Sequence, residues 1–116
     1  MLPPKGGRPI ALLIGQTLRD VRLGHATVLT FSAGSQVLIE TDVRLVGPDL
    51  VTGEVVHTAE VRDTGELALT FRGGTELLAG VDAEAESWAV TGPDGLLTVC
   101  LAGGELAAWG DAASIT

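Results

Sequence analysis

A self-match at an offset of forty residues constrains this chain more than any other feature of its sequence. Thr30-Phe31-Ser32-Ala33-Gly34-Ser35-Gln36-Val37-Leu38 aligns with Thr70-Phe71-Arg72-Gly73-Gly74-Thr75-Glu76-Leu77-Leu78, and the two segments hold both phenylalanines of the 116-residue chain. Each copy alternates apolar and polar residues, breaks at a Gly-containing triplet, then resumes with aliphatic residues, the pattern of a β-hairpin. The glycines are turn positions that need positive φ, not a phosphate loop. Gly47-Pro48-Asp49 recurs as Gly92-Pro93-Asp94 at an offset of forty-five, so the second copy carries about five extra residues before its turn. The repeat spans approximately residues 17–49 and 57–95.

Strand signals recur about every ten residues outside the hairpins, as expected of a sandwich or barrel. They fall at 10–14, 17–23, 42–46, 54–62, 87–91 and 96–101, with a turn at Gly92-Pro93-Asp94-Gly95. The helical candidates, 82–86 and 105–109, are too short to be more than one turn. The expectation is an all-β domain of two related antiparallel hairpin-based units, packed as a sandwich or partly open barrel. Phe31, Phe71, Leu38, Leu78 and at least one tryptophan are expected along the seam. Residues 1–9, with three of the five prolines, read as a flexible arm, 10–111 as a single domain, and 112–116 as a flexible tail.

Composition narrows the function classes. Seven basic residues against fifteen acidic ones give a net charge of −8, the wrong sign for a phosphate backbone, so no nucleic-acid partner is expected. The apolar run Ile10–Ile14 is too short to span a bilayer or to form a signal-peptide core, which points to a cytoplasmic protein with no membrane partner. One cysteine forms no internal disulfide. His25, His57 and Cys100 have no ligand-type spacing, so neither a metal nor another cofactor is expected. Cys100 lies in the apolar strand Leu97-Thr98-Val99-Cys100-Leu101, the setting of an inert core thiol. No nucleophile elbow or Gly-rich loop before a helix occurs, and the chain reads as non-enzymatic.

Charge is concentrated in one half. Residues 1–58 hold five basic and five acidic side chains; residues 59–116 hold two basic and ten acidic ones, hence the whole −8. Asp82, Glu84 and Glu86 alternate with alanines, which puts three carboxylates on one side of an extended backbone. Two readings are open: a strip that meets a basic partner, or a solvated edge that keeps the domain soluble. Trp88 reads as core or seam. Trp109 caps one end of the sandwich or, if exposed, is the best candidate for a contact hot spot.

The second half resembles a family of small, largely actinobacterial proteins known only as a domain of unknown function. The resemblance rests on Gly65-Glu66-Leu67-Ala68-Leu69-Thr70-Phe71 with Gly74 and Leu77, on Glu86-Ser87-Trp88-Ala89-Val90 with Gly92-Pro93-Asp94-Gly95, and on Gly103-Gly104-Glu105-Leu106-Ala107-Ala108-Trp109. The first half agrees more loosely, through Gly15, Leu18, Phe31, Gly34 and Glu40. Ala85 departs from the pattern, which has an aromatic residue before the Glu-x-Trp block. The resemblance implies a shared scaffold and carries no catalytic residues over.

Three functions follow as expectations. The first is an acidic binding module that contacts a basic protein through Asp82, Glu84, Glu86 and Trp109, for example an immunity-type protein neutralising a toxin domain. The second is a structural homodimerisation domain joined at sheet edges. The third is a small-molecule binder or enzyme, which requires polar groups converging in a cleft.

Overall fold

The computed structural model describes residues 10–92 and 95–109 and is all-β. The strands are β1 (Leu18–Arg22), β2 (Thr27–Phe31), β3 (Gln36–Ile39), β4 (Val43–Val46), β5 (Val56–Val61), β6 (Leu67–Phe71), β7 (Glu76–Ala79), β8 (Trp88–Thr91), β9 (Leu97–Cys100) and β10 (Leu106–Trp109), with a 3-10 turn at Ala102–Gly104. They form a six-stranded sheet, order β1-β2-β3-β8-β9-β10, and a four-stranded sheet, order β4-β7-β6-β5. Every pairing is antiparallel. The sheets pack as an open sandwich around one apolar interior.

The matched segments form hairpins of the same register. Leu29 pairs with Val37 and Thr30 with Gln36 in β2–β3; Leu69 pairs with Leu77 and Thr70 with Glu76 in β6–β7. In each turn the Phe N–H donates to the carbonyl of Ser35 or Thr75, and the Gly34 or Gly74 N–H donates to the Phe carbonyl. Gly34 and Gly74 have φ of 94° and 101°, left-handed values that disfavour a side chain. The preceding strands also correspond: β1 and β5 each carry one bulge, at Arg19 and at His57.

The two starts of these meanders meet reciprocally. Thr17 bridges Val55; Leu18 N–H donates to Glu54 O at 2.8 Å, and Val56 N–H donates to Gln16 O at 3.0 Å. Side chains follow the same relation, since Oε1 of Gln16 accepts from Ala33 N–H and Oε1 of Glu54 accepts from Gly73 N–H. The fourth strand of each half crosses over. β4 pairs with β7 and β8 pairs with β3, so each sheet is completed by a strand from the other half.

Strand alternation corrects the expected seam. Phe31 and Phe71 are buried in the central cluster, with Trp88. Val37, Ile39 and Leu77 join them, whereas Leu38 and Leu78 do not. Neighbouring side chains on a strand point to opposite faces, so Leu38 and Leu78 turn away from that cluster, Leu38 half-buried and Leu78 still buried at 5% exposure. Ile10–Ile14 is not a strand either: Leu13 N–H donates to Ile10 O and Ile14 N–H to Ala11 O, a helical turn. That turn sends Ile10 and Leu13 together into the core, a placement that an apolar run cannot distinguish from a strand. Of the helical candidates, 105–109 falls mostly within β10 and 82–86 is a bent loop. The proposed arm at 1–9, the tail at 112–116 and the centre of the turn at 92–95 lie outside the described residues.

Candidate functional site

Three connections meet at one corner. The β5–β6 turn carries Asp63, the long β7–β8 loop carries Asp82, Glu84 and Glu86, and the turn before β10 carries Glu105; all five side chains are exposed. Gly103 N–H donates to Asp82 O at 2.9 Å. A Cβ added to Gly104 would collide with the Thr64 carbonyl, and one added to Gly65 would lie 2.7 Å from the Gly104 backbone. Only the bare backbones of Gly65 and Gly104 permit this approach. The basic residue on these loops, Arg62, is engaged by Glu66 at 3.1 Å and Glu76 at 3.3 Å.

The strip reading of Asp82, Glu84 and Glu86 is corrected at this corner. The segment is not extended: Asp82 Oδ1 accepts the Glu84 N–H at 2.7 Å, and Ser87 Oγ accepts the Asp82 N–H at 2.7 Å. Short polar side chains bend the backbone in this way by replacing ladder bonds with local ones. The three carboxyl-bearing residues therefore share a loop rather than a strand face. Asp63 and Glu105, which sequence spacing does not connect with them, join through the glycine contact. Trp109 stands on β10 opposite Leu97, and its side chain lies outside the described residues.

Beneath the corner lie Trp88 and Cys100, both buried. Trp88 is 2% exposed and its Nε1 donates to Gly65 O at 3.0 Å, while Cys100 Sγ lies 3.6 Å from the same oxygen. Burial pushes the Cys100 thiol above its ordinary pKa, and a Ser87 hydrogen bond offsets part of that. The neutral thiol favoured by the fold should be protected, because the thiolate is the reactive form. Native protein is expected to react with a thiol reagent far more slowly than unfolded protein, and equal rates would contradict this placement. The pKa is raised in the folded state, so the contribution is present below the unfolded thiol value and is lost as pH climbs through the folded one.

A concavity lies beside the other exchanged strand, β4. Trp88 pairs with Ile39, whereas its counterpart Val43 pairs with Ala79. Beside the smaller Val43 a cavity of about 490 Å3 opens, lined by Leu23, Leu29, Leu45, Leu50 and Leu77, with His25, Glu40 and Asp42 also contributing. His57 borders a separate concavity with Phe71 and Arg72, and Cys100 is in the core. The structure thus keeps His25, His57 and Cys100 apart. Among the described residues no three His, Cys, Asp or Glu side chains are placed to hold a metal ion, and no helix is long and apolar enough to cross a membrane.

Neither the curated proteins nor the solved structures contain a match to this chain. A family model described as a family of unknown function, DUF6188, matches residues 49–110. The matched segment runs from the end of the first repeat through the second hairpin, the Trp88 strand and β10, and it is more than half of the chain. The shared scaffold implied by the second half is therefore a family property: the chain belongs to the family of unknown function DUF6188.

Proposed function

We propose that this protein is a non-enzymatic binding module whose acidic corner docks on a basic protein surface, as an immunity-type protein would dock on a basic toxin domain. The observation that carries this reading is the convergence of Asp63, Asp82, Glu84, Glu86 and Glu105 on three loops braced by Gly65 and Gly104. A fixed cluster of one sign speeds encounter with an opposite surface and disfavours other partners. The backbone bracing holds the loops before a partner arrives, so less ordering is needed on binding. The cytoplasm suits a chain whose single thiol is buried and unpaired.

The test compares the tagged full chain with a variant carrying Asp82→Lys, Glu84→Lys and Glu86→Lys as bait in an extract of its own cells. A basic protein should be retained by the native chain, lost by the variant, and released progressively as salt rises. Retention indifferent to both salt and charge reversal would overturn the reading. Circular dichroism of the variant should match the native chain, since the three side chains are exposed, hold no ion pair among the described residues, and make only the one local bond from Glu84 N–H to Asp82 Oδ1, outside any strand.

A further inference from the structure

We propose that two copies of this chain associate through β4, antiparallel about a two-fold axis at Val43, joining their four-stranded sheets into one. This does not depend on the acidic corner. β4 and β8 are counterparts, each the fourth strand of its sheet, yet their outer edges differ. The edge of β8 is covered by β9, which pairs Val90 with Thr98 and Trp88 with Cys100. β4 pairs only with β7 and ends the four-stranded sheet. The molecule therefore contains both a covered and an open version of the same edge.

The open version is lightly protected: like β10 at the end of the other sheet it has no bulge, and Arg44 is the one charge within the strand. Edge strands are normally blunted by bulges and charges. β1 carries a bulge with Arg19, Asp20 and Arg22, and β5 a bulge with His57 and Glu60. β4 has an unbroken register, and its Leu45 and Val46 are 49% and 47% exposed. Leu23 and Val51 add further exposed apolar surface.

Charge identifies the occupant as a second copy. The −8 belongs wholly to residues 59–116, while the half containing β4 sums to zero. β4 nevertheless lies in the sheet of the acidic half, beside Glu76 of β7, and what selects a second copy is its own pair of exposed charges: Asp42 and Arg44, two positions apart on one face and opposite in sign, offer an antiparallel copy the complement of each.

The register follows from the backbone. Asp42 O accepts from Gly80 N–H, so Asp42, Arg44 and Val46 direct their backbone groups to β7, and Val43 and Leu45 direct theirs outward. Outward-facing residues must pair with each other, which leaves three symmetric registers. Centring on Leu45 sets Asp42 against Pro48, and centring on Arg44 sets two guanidinium groups face to face. Centring on Val43 places Arg44 of each copy opposite Asp42 of the other, and like charges give way to two opposite-charge pairs.

Sedimentation of the full chain across the micromolar range, at moderate salt, tests this. The native chain should approach twice its own mass. Arg44→Asp should raise the dimer dissociation constant at least about tenfold, and the exchange Asp42→Arg with Arg44→Asp should restore it. Leu45→Pro removes an outward N–H that β7 does not use, and should give a monomer with unchanged circular dichroism. If that variant does not fold, the charge exchange decides alone. A native monomer throughout, a dimer indifferent to these changes, or a failure of the exchange to rescue would each overturn the proposal. The Asp82, Glu84, Glu86 reversal should leave the dimer intact, which separates this result from the fate of the acidic corner.

Discussion

Gly104→Ala is expected to destabilise the fold by roughly 3 kcal/mol or more, from a left-handed backbone and a steric collision acting together. Gly104 has φ of 97°, and its added Cβ would overlap the Thr64 carbonyl, with the Val81 side chain at 3.6 Å. The carbonyl is backbone and cannot turn aside as a flexible side chain would, so the β5–β6 turn and the 102–104 turn must separate. Gly103 supplies the control. Its φ of 79° is also left-handed, but nothing lies within 4 Å of its added Cβ, and Gly103→Ala should cost only about 1–2 kcal/mol of conformational strain. Thermal unfolding followed by circular dichroism distinguishes them, with Gly104→Ala melting about 10 °C or more below the native chain. Equal melting of the two variants would show that the close approach at Gly104 does not support the corner.

Trp88→Ala should cost about 3–5 kcal/mol, the range for removing a large buried aromatic. Trp88 is buried in the central cluster, donates to the β5–β6 turn at Gly65 O, and pairs with Ile39 on one side and Cys100 on the other. Trp88→Phe separates two contributions. It keeps much of the apolar contact but removes the Nε1 donor, leaving Gly65 O with only the weak Cys100 thiol nearby. An unsatisfied buried acceptor costs about 1–3 kcal/mol, so this variant should fall between the native chain and Trp88→Ala in urea unfolding. If Trp88→Phe unfolds at the native midpoint, the indole matters only as volume.

Much of the fold is legible in the sequence because hairpins are local. The forty-residue match located β2–β3 and β6–β7, whose turn glycines and alternation are read from neighbours a few residues apart. Phe31, Phe71 and Trp88 read as interior for the same reason, as large apolar residues on strands with one inward face. The repeat points Leu38 and Leu78 to the same seam, but a period of two turns them away from Val37 and Leu77 and out of the central cluster, although Leu78 remains buried. Ile10–Ile14 reads as a strand because a buried turn and a buried strand show the same short apolar run. The exchange of β4 and β8 leaves no mark within either strand. It depends on which sheet each connection reaches, and only the five extra residues before the second fourth strand hinted that the two paths differ.

The candidate site divides in the same way. Asp82, Glu84 and Glu86 were visible as a run of charge, and their exposure follows from charge alone. Their geometry was not, because Asp82 Oδ1 and Ser87 Oγ bend the segment through local hydrogen bonds. Asp63 and Glu105 are separated from that run by many residues in each direction. They reach it through two glycines whose lack of a side chain is meaningful only once the facing backbone is known. Val43 likewise gave no sign of being the smaller counterpart of Trp88, since the equivalence exists only in the sheet register.

The crossed fourth strands also set the order of events during synthesis. β3 emerges with one side already hydrogen-bonded to β2, but its other neighbour, β8, begins at Trp88, 49 positions after Ile39. Until the ribosome has delivered that length, the first meander carries a raw, adhesive flank, and local hairpin formation cannot hide it. Neither half can mature ahead of its sibling, and the polypeptide must become native in one late, collective step.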